Sequence, residues 1–139
     1  MADVIVHVHI LRGRNLAVKD LQSSDPFVRV YANGDDDYMF QSKCKSKTTD
    51  PSFNEKFTYS LNATDAEKLL KGDHGVNVIL RVFDDDAMHG EDPMGTVVVP
   101  LKLGMAEAMW YPLGKGEGEF VCDNASGELN VMITVETSE

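Results

Sequence analysis

Five aspartates stand at the ends of apolar runs, where turns rather than strands should lie: Asp20 and Asp25 in one segment, and Asp84, Asp86 and Asp92 in another about sixty residues on. Carboxylates held within a few ångströms of one another repel and raise one another's pKa, so an empty cluster of this kind is costly to assemble. A hard divalent cation removes that cost. Ca²⁺ takes about six to eight oxygen ligands in a tolerant geometry, which loop carboxylates, carbonyls and water satisfy better than they satisfy Zn²⁺ or Mg²⁺.

Such acids need a scaffold that brings two distant segments to one place. Val4, Val6, Val8 and Ile10 alternate with Ile5, His7 and His9, the period of a half-buried strand with its valines inward. The same period returns in Phe27 to Tyr31, in Phe57-Tyr59-Leu61, in Val76-Val78-Leu80-Val82, in Thr96 to Val99 and in Leu129-Val131-Ile133-Val135. Weaker runs at Tyr38 to Lys45 and Met109 to Leu113 bring the expected number of strands to about eight. Turn signals separate them at Asn33-Gly34-Asp35, Asp50-Pro51, Gly72-Asp73, His89-Gly90 and Asp123-Asn124 with Gly127. Short strands at regular spacing predict an all-β, eight-stranded antiparallel Greek-key sandwich. One short peripheral helix is expected, with Thr64-x-x-Glu67 as its capping box and Gly72 as its stop, and a further helical turn near Gly104 to Ala108.

The chain has 139 residues and a mass of 15.4 kDa, which suits one domain, read as residues 1–139, with no interior boundary. No apolar run is long enough to span a bilayer, and Met1-Ala2-Asp3 lacks the basic head and apolar core of a secretory signal. The cytosol is the expected location. Cys44 and Cys122 have no CxxC spacing and read as free structural thiols. A net charge of −10 argues against sequence-independent binding to nucleic acid and against a purely electrostatic hold on anionic lipid.

The segment Asn15-Leu16-Ala17-Val18-Lys19-Asp20-Leu21-Gln22-Ser23-Ser24-Asp25-Pro26-Phe27-Val28 resembles the first calcium-binding loop of the C2 domain family. Val82 to Gly95, with Asp84-Asp85-Asp86 and Asp92, resembles its third loop, and Asp50-Pro51-Ser52-Phe53-Asn54-Glu55-Lys56-Phe57 is similar to the Asn-Pro-x-Trp-Asn-Glu-x-Phe signature between them. The resemblance runs from about Asp3 to Glu136. It implies a calcium cofactor held by the carboxylates of Asp20, Asp25, Asp84, Asp86 and Asp92 and by the backbone carbonyls of Lys19 and Asp85. Asp84 and Asp86, two apart at an extended strand end, would point the same way and Asp85 outward. Departures are present: Asp20 and Asp25 are closer in sequence than in many family members, Gly90 replaces a polar side chain that holds a further ion in some, and Phe53 replaces the common Trp. Two topologies related by circular permutation occur in the family. A strand leading straight into the first loop, with an additional strand after Trp110 to Leu113, favours the type II arrangement.

The resemblance also implies a function: docking on phospholipid membranes when calcium rises, as a peripheral module of signalling or membrane trafficking. Six acids in the two loops, counting Asp85, set a local charge of about −6; two ions would return about +4, taking the whole chain from −10 to about −6. Leu21 and Met88 at the loop tips are candidates for entering the lipid interface, and Lys43, Lys45 and Lys47, alternating along an expected strand, resemble the family's lysine-rich patch for phosphoinositides. Four other readings compete. Turns favour aspartate through side-chain to backbone hydrogen bonds with no ligand involved; His7 and His9 share a strand face but lack a third metal ligand; and a calcium-independent module could hold a protein partner on the sandwich face. Asp84-Asp85-Asp86 also looks like the metal-binding Asp-x-Asp of glycosyltransferases, but a chain of this length and β pattern supplies no nucleotide-sugar domain. The chain is read as a non-enzyme.

Overall fold

In the computed structural model, residues 3–18, 24–86 and 90–138 are described, Asp86 by its backbone alone. The elements in chain order are β1 (Val4–Arg14), β2 (Pro26–Ala32), β3 (Phe40–Gln41), β4 (Ser52–Ser60), α1 (Ala63–Leu70), β5 (Asn77–Asp86), β6 (Gly90–Pro100), β7 (Ala108–Pro112) and β8 (Glu128–Thr137), with a 3₁₀ turn at Gly118–Phe120 before β8. They form two antiparallel four-stranded sheets, ordered β4-β1-β8-β7 and β3-β2-β5-β6.

The period-two runs decide which face of each sheet turns inward. Val4, Val6, Val8 and Ile10 are fully buried while Ile5, His7 and His9 are only half-buried, and Val131 and Ile133 of β8 pair across from Ile10 and Val8. Val28, Val30, Val78, Leu80 and Val82 supply the opposing layer. Each such side chain contributes about 1.5–3 kcal/mol when taken fully out of water, which is what presses the two sheets together. Phe53, where the family commonly has Trp, is buried in the same core.

The first strand runs directly toward the segment that holds Asp25, and β8 lies beside it, between β1 and β7. This is the strand arrangement expected of type II.

Several local expectations need correction. The helix is capped by Asn62 and not by Thr64: Asn62 Oδ1 accepts the Asp65 N–H at 2.8 Å, because Asn62 keeps the extended backbone of a cap while Thr64 is already helical. Its stop is as expected, since Gly72 takes a φ of +79° and the Asp73 N–H reaches back to the Lys68 carbonyl. No helical turn forms at 104–108; β7 begins at Ala108, and the short extra helix lies at Gly118–Phe120. The run from Tyr38 to Lys45 yields only Phe40–Gln41 as strand. Beyond it Ser42 and Lys45 donate to the carbonyls of Val28 and Pro26, three residues against two, so the pleat is lost and Lys43, Lys45 and Lys47 do not share a strand face.

Candidate functional site

The acidic end is built by the ends of three strands. Between Val82 and Phe83 the β5–β6 register shifts, Val82 facing Gly95 and Phe83 facing Pro93, so that Met94 is the extra residue and is fully buried. Beyond this bulge Asp84 faces Asp92, Asp85 faces Glu91 and Asp86 faces Gly90. The expectation that these acids lie in turns is corrected: Asp84, Asp85, Asp86 and Asp92 belong to paired strands, because β5 and β6 continue past the core to within three residues of each other.

From the other side β2 begins at Pro26, opposite Asp84, and the Asp25 N–H donates to Asp84 Oδ1 at 2.7 Å. The Asp85 N–H in turn donates to the Asp25 carbonyl at 3.0 Å. The two segments therefore meet directly. Asp84 is wholly buried, Asp92 half-buried and Asp85 exposed. Directly opposed like charges on adjacent strands destabilise a sheet, since their Cβ atoms lie about 4.5–5.5 Å apart; Asp84 with Asp92 and Asp85 with Glu91 are two such pairs in succession. Arg29 offsets the second, its Nη2 lying 2.7 Å from Glu91 Oε1.

The base of the first acidic segment is pinned to the 47–51 stretch. Asn15, in the left-handed region at φ +55°, donates its N–H to Asp50 Oδ1 at 3.0 Å, and Leu16 donates to the Thr49 carbonyl. Gly127 supports the same corner: at φ +83° it packs so closely that any Cβ would collide with the carbonyl oxygens of Arg14 and Asn15. On the far side the buried Ser24 hydroxyl donates to the Ala17 carbonyl, and the Thr48 N–H donates to the Ser24 carbonyl.

Two residues at this end were not singled out by sequence as partners of the acids. The Lys47 N–H donates to Asp25 Oδ1 at 2.6 Å, with Lys47 itself at φ +53°, and the Cys44 thiol donates to the Asp25 carbonyl. Burial, and then the charges of Asp85, Asp25 and Asp84, hold the Cys44 thiol above its ordinary pKa. The positive φ values at 15 and 47 have only the presence of Asn as a sequence signal at one of them, and none at the other.

Lys19, Asp20, Leu21 and Met88 lie outside the described residues, and so does the side chain of Asp86. Among the described residues no three His, Cys, Asp or Glu side chains already cluster as a metal cage. The donors that do converge are carboxylate and carbonyl oxygens, the type a hard cation takes. Lys43 and Lys47 are exposed and Lys45 is half-buried, along the stretch that leads to Asp25. His7 is held by Thr58 Oγ1 at 2.8 Å and Glu136 Oε1 at 3.0 Å, and His9 by Asn54 Oδ1 at 2.7 Å, so the two rings have separate partners. Cys122 is buried, Cys44 exposed, and neither is in a disulfide. No helix among the described residues is long and apolar enough to cross a membrane.

Comparison with known proteins agrees with this construction. Human synaptotagmin-7 is 31% identical over 130 residues, covering 91% of this chain and 29% of that protein. The chain spans less than a third of the length of the curated relatives it matches. Among solved structures, the C2A domain of plant extended synaptotagmin 1 superposes with a TM-score of 0.77 at 23% identity, covering 100% of this chain and 98% of that one. The C2A and C2B domains of extended synaptotagmin 2, in a calcium-bound structure, give 0.71 at 17% identity, covering 97% of this chain and 46% of that one. The C2 domain model matches residues 4–113, and with the sandwich and its acidic end this places the chain in the C2 domain family.

Proposed function

We propose that this chain binds Ca²⁺ at the acidic end of its sandwich and, once loaded, docks reversibly on phospholipid membrane. The observation that carries the reading is the contact between the two acidic segments: Asp25 bonded to the carboxylate of Asp84, which faces Asp92 across the β5–β6 ladder. Asp20, Asp25, Asp84, Asp86 and Asp92, with the carbonyls of Lys19 and Asp85, would hold the ion. Calcium supplies charge neutralisation there and open coordination positions for a lipid phosphate oxygen. The chain's own residues do the rest. Asp84, held by the Asp25 N–H, keeps one oxygen fixed, and Lys47 orients Asp25 through its backbone. Val18, 48% exposed beside the acidic segment, joins Leu21 and Met88 as an apolar contact for the lipid interface, and Lys43, Lys45 and Lys47 supply positive charge on the flank. A structural relative described as calcium bound accords with the reading. A module of this kind is a binding domain and not an enzyme, and a calcium-switched membrane contact belongs to the cytosolic side, with the residues acting as one domain.

Liposome co-sedimentation tests it. With vesicles of phosphatidylcholine and phosphatidylserine, the chain should pellet in calcium and stay in solution with a chelator. Equal pelleting under both conditions would remove the switch, and no pelleting under either would favour a calcium-independent module that uses the sandwich face.

A further inference from the structure

Away from the acidic end, the outer face of β5 and β6 carries a cavity of about 290 Å³ lined by Ile79, Arg81, Thr96, Val98, Gly116 and Glu117. Arg81 is fixed in place there, its guanidinium carbon 4.3 Å from the Tyr31 ring centre and 4.0 Å from that of Phe120. The 3₁₀ turn delivers Phe120, and the segment before it is tied to β6 by mutual hydrogen bonds between Thr96 and Gly114. In a chain with 23 acidic and 13 basic side chains, Arg81 has no ion-pair partner among the described residues.

Two polar atoms of the lining, Arg81 Nε and Thr96 Oγ1, are buried with no hydrogen-bond partner among the described residues. Buried donors without acceptors oppose folding, and two in one cavity wall mark a place where an acceptor from outside is missing. Thr96 Oγ1 lies beneath Gly116, where an added Cβ would come within 2.9 Å of it. Beyond the tie at Gly114, Gly116 and Gly118 stand at φ +76° and +62° and bring no side chain over this wall. Val98, 53% exposed on the same face, is an apolar wall without cover.

We propose that this cavity binds a carboxylate carrying a short apolar group, with the carboxylate on the Arg81 guanidinium and the Thr96 hydroxyl and the apolar part on Ile79 and Val98. The planar fork of a guanidinium matches a carboxylate with two parallel hydrogen bonds. Glu117 in the lining opposes a dianion such as phosphate, so the single charge is favoured. A free small acid and the C-terminal residue of a polypeptide share this chemistry.

The test uses the ¹⁵N- and methyl-labelled chain in calcium-free buffer, titrated with 3-methylbutanoate, with acetyl-Gly-Val bearing a free carboxyl, with its C-terminal amide, and with inorganic phosphate. Saturable shifts of the Ile79 and Val98 methyls and of the Arg81 Nε–H are expected with the acids and not with the amide. Arg81→Gln should weaken binding by about tenfold or more; should that variant not fold, Thr96→Val serves, because it removes the hydroxyl and keeps the shape. Both acids binding supports a site for the shared chemistry, and binding of one alone supports it and also identifies the source. Phosphate binding as tightly as the acids, shifts that persist in the variants, equal binding of the amide, or no saturable shift at all would each overturn it.

Discussion

At the residue scale, Asp84 and Asp92 serve two opposed ends. The two residues pair across the β5–β6 ladder, where like charges oppose each other, and under the proposed function the same placement would serve a divalent ion. One substitution therefore carries opposite signs. Asp92→Asn should stabilise the calcium-free chain by a few tenths to about 1 kcal/mol, since it deletes one of two opposed charges, and should abolish most of the calcium-induced rise in melting temperature. Thermal melts with chelator and with calcium check both parts; a variant that is destabilised without calcium would mean that the two carboxylates do not repel. Tyr59 offers a test independent of any ion. Its hydroxyl is buried without a hydrogen-bond partner among the described residues, and burial, with the charge of Asp65 adding, holds its pKa well above 10.0. Above about pH 10 the unfolded chain gives up that proton while the folded chain keeps it, so the unfolded state binds fewer protons and stability falls as pH rises. Melting temperatures between about pH 9 and pH 11 should drop, and Tyr59→Phe should flatten that drop.

At the element scale, the cap of α1 is where local chemistry and local sequence part. Asn62→Ala should cost about 1 kcal/mol in chemical denaturation and Thr64→Ala markedly less, because only Asn62 accepts a first-turn N–H. Equal losses would return the cap to Thr64. The long strands were legible because their inward positions are Val, Ile and Leu in strict alternation, as in β1 and β8, and nothing competes with that signal. The stretch after Phe40 was not, because its three-against-two bonding to β2 depends on contacts with another strand and leaves no period in Lys43-Cys44-Lys45-Ser46-Lys47. The bulge that aligns Asp84 with Asp92 is of the same kind. Met94 and Gly95 are its only local trace, and Gly95 is held at φ +143° against Leu113. Resemblance proposes the members of the acidic set, while register decides which of the described acids face which.

At the scale of the whole molecule, a net charge of −10 opposes an electrostatic hold on anionic lipid, and under the proposed function bound calcium would offset that charge at the acidic end. Both sheets converge to support this end, through β1 and Gly127 on one side and β2, β5 and β6 on the other. Isothermal titration of Ca²⁺ into the chelator-treated and dialysed chain, beside Asp84→Asn, tests the central claim most directly. The account predicts saturable binding in the parent chain and at least about a tenfold loss in the variant. No binding heat in the parent, or the same affinity in both, would contradict it.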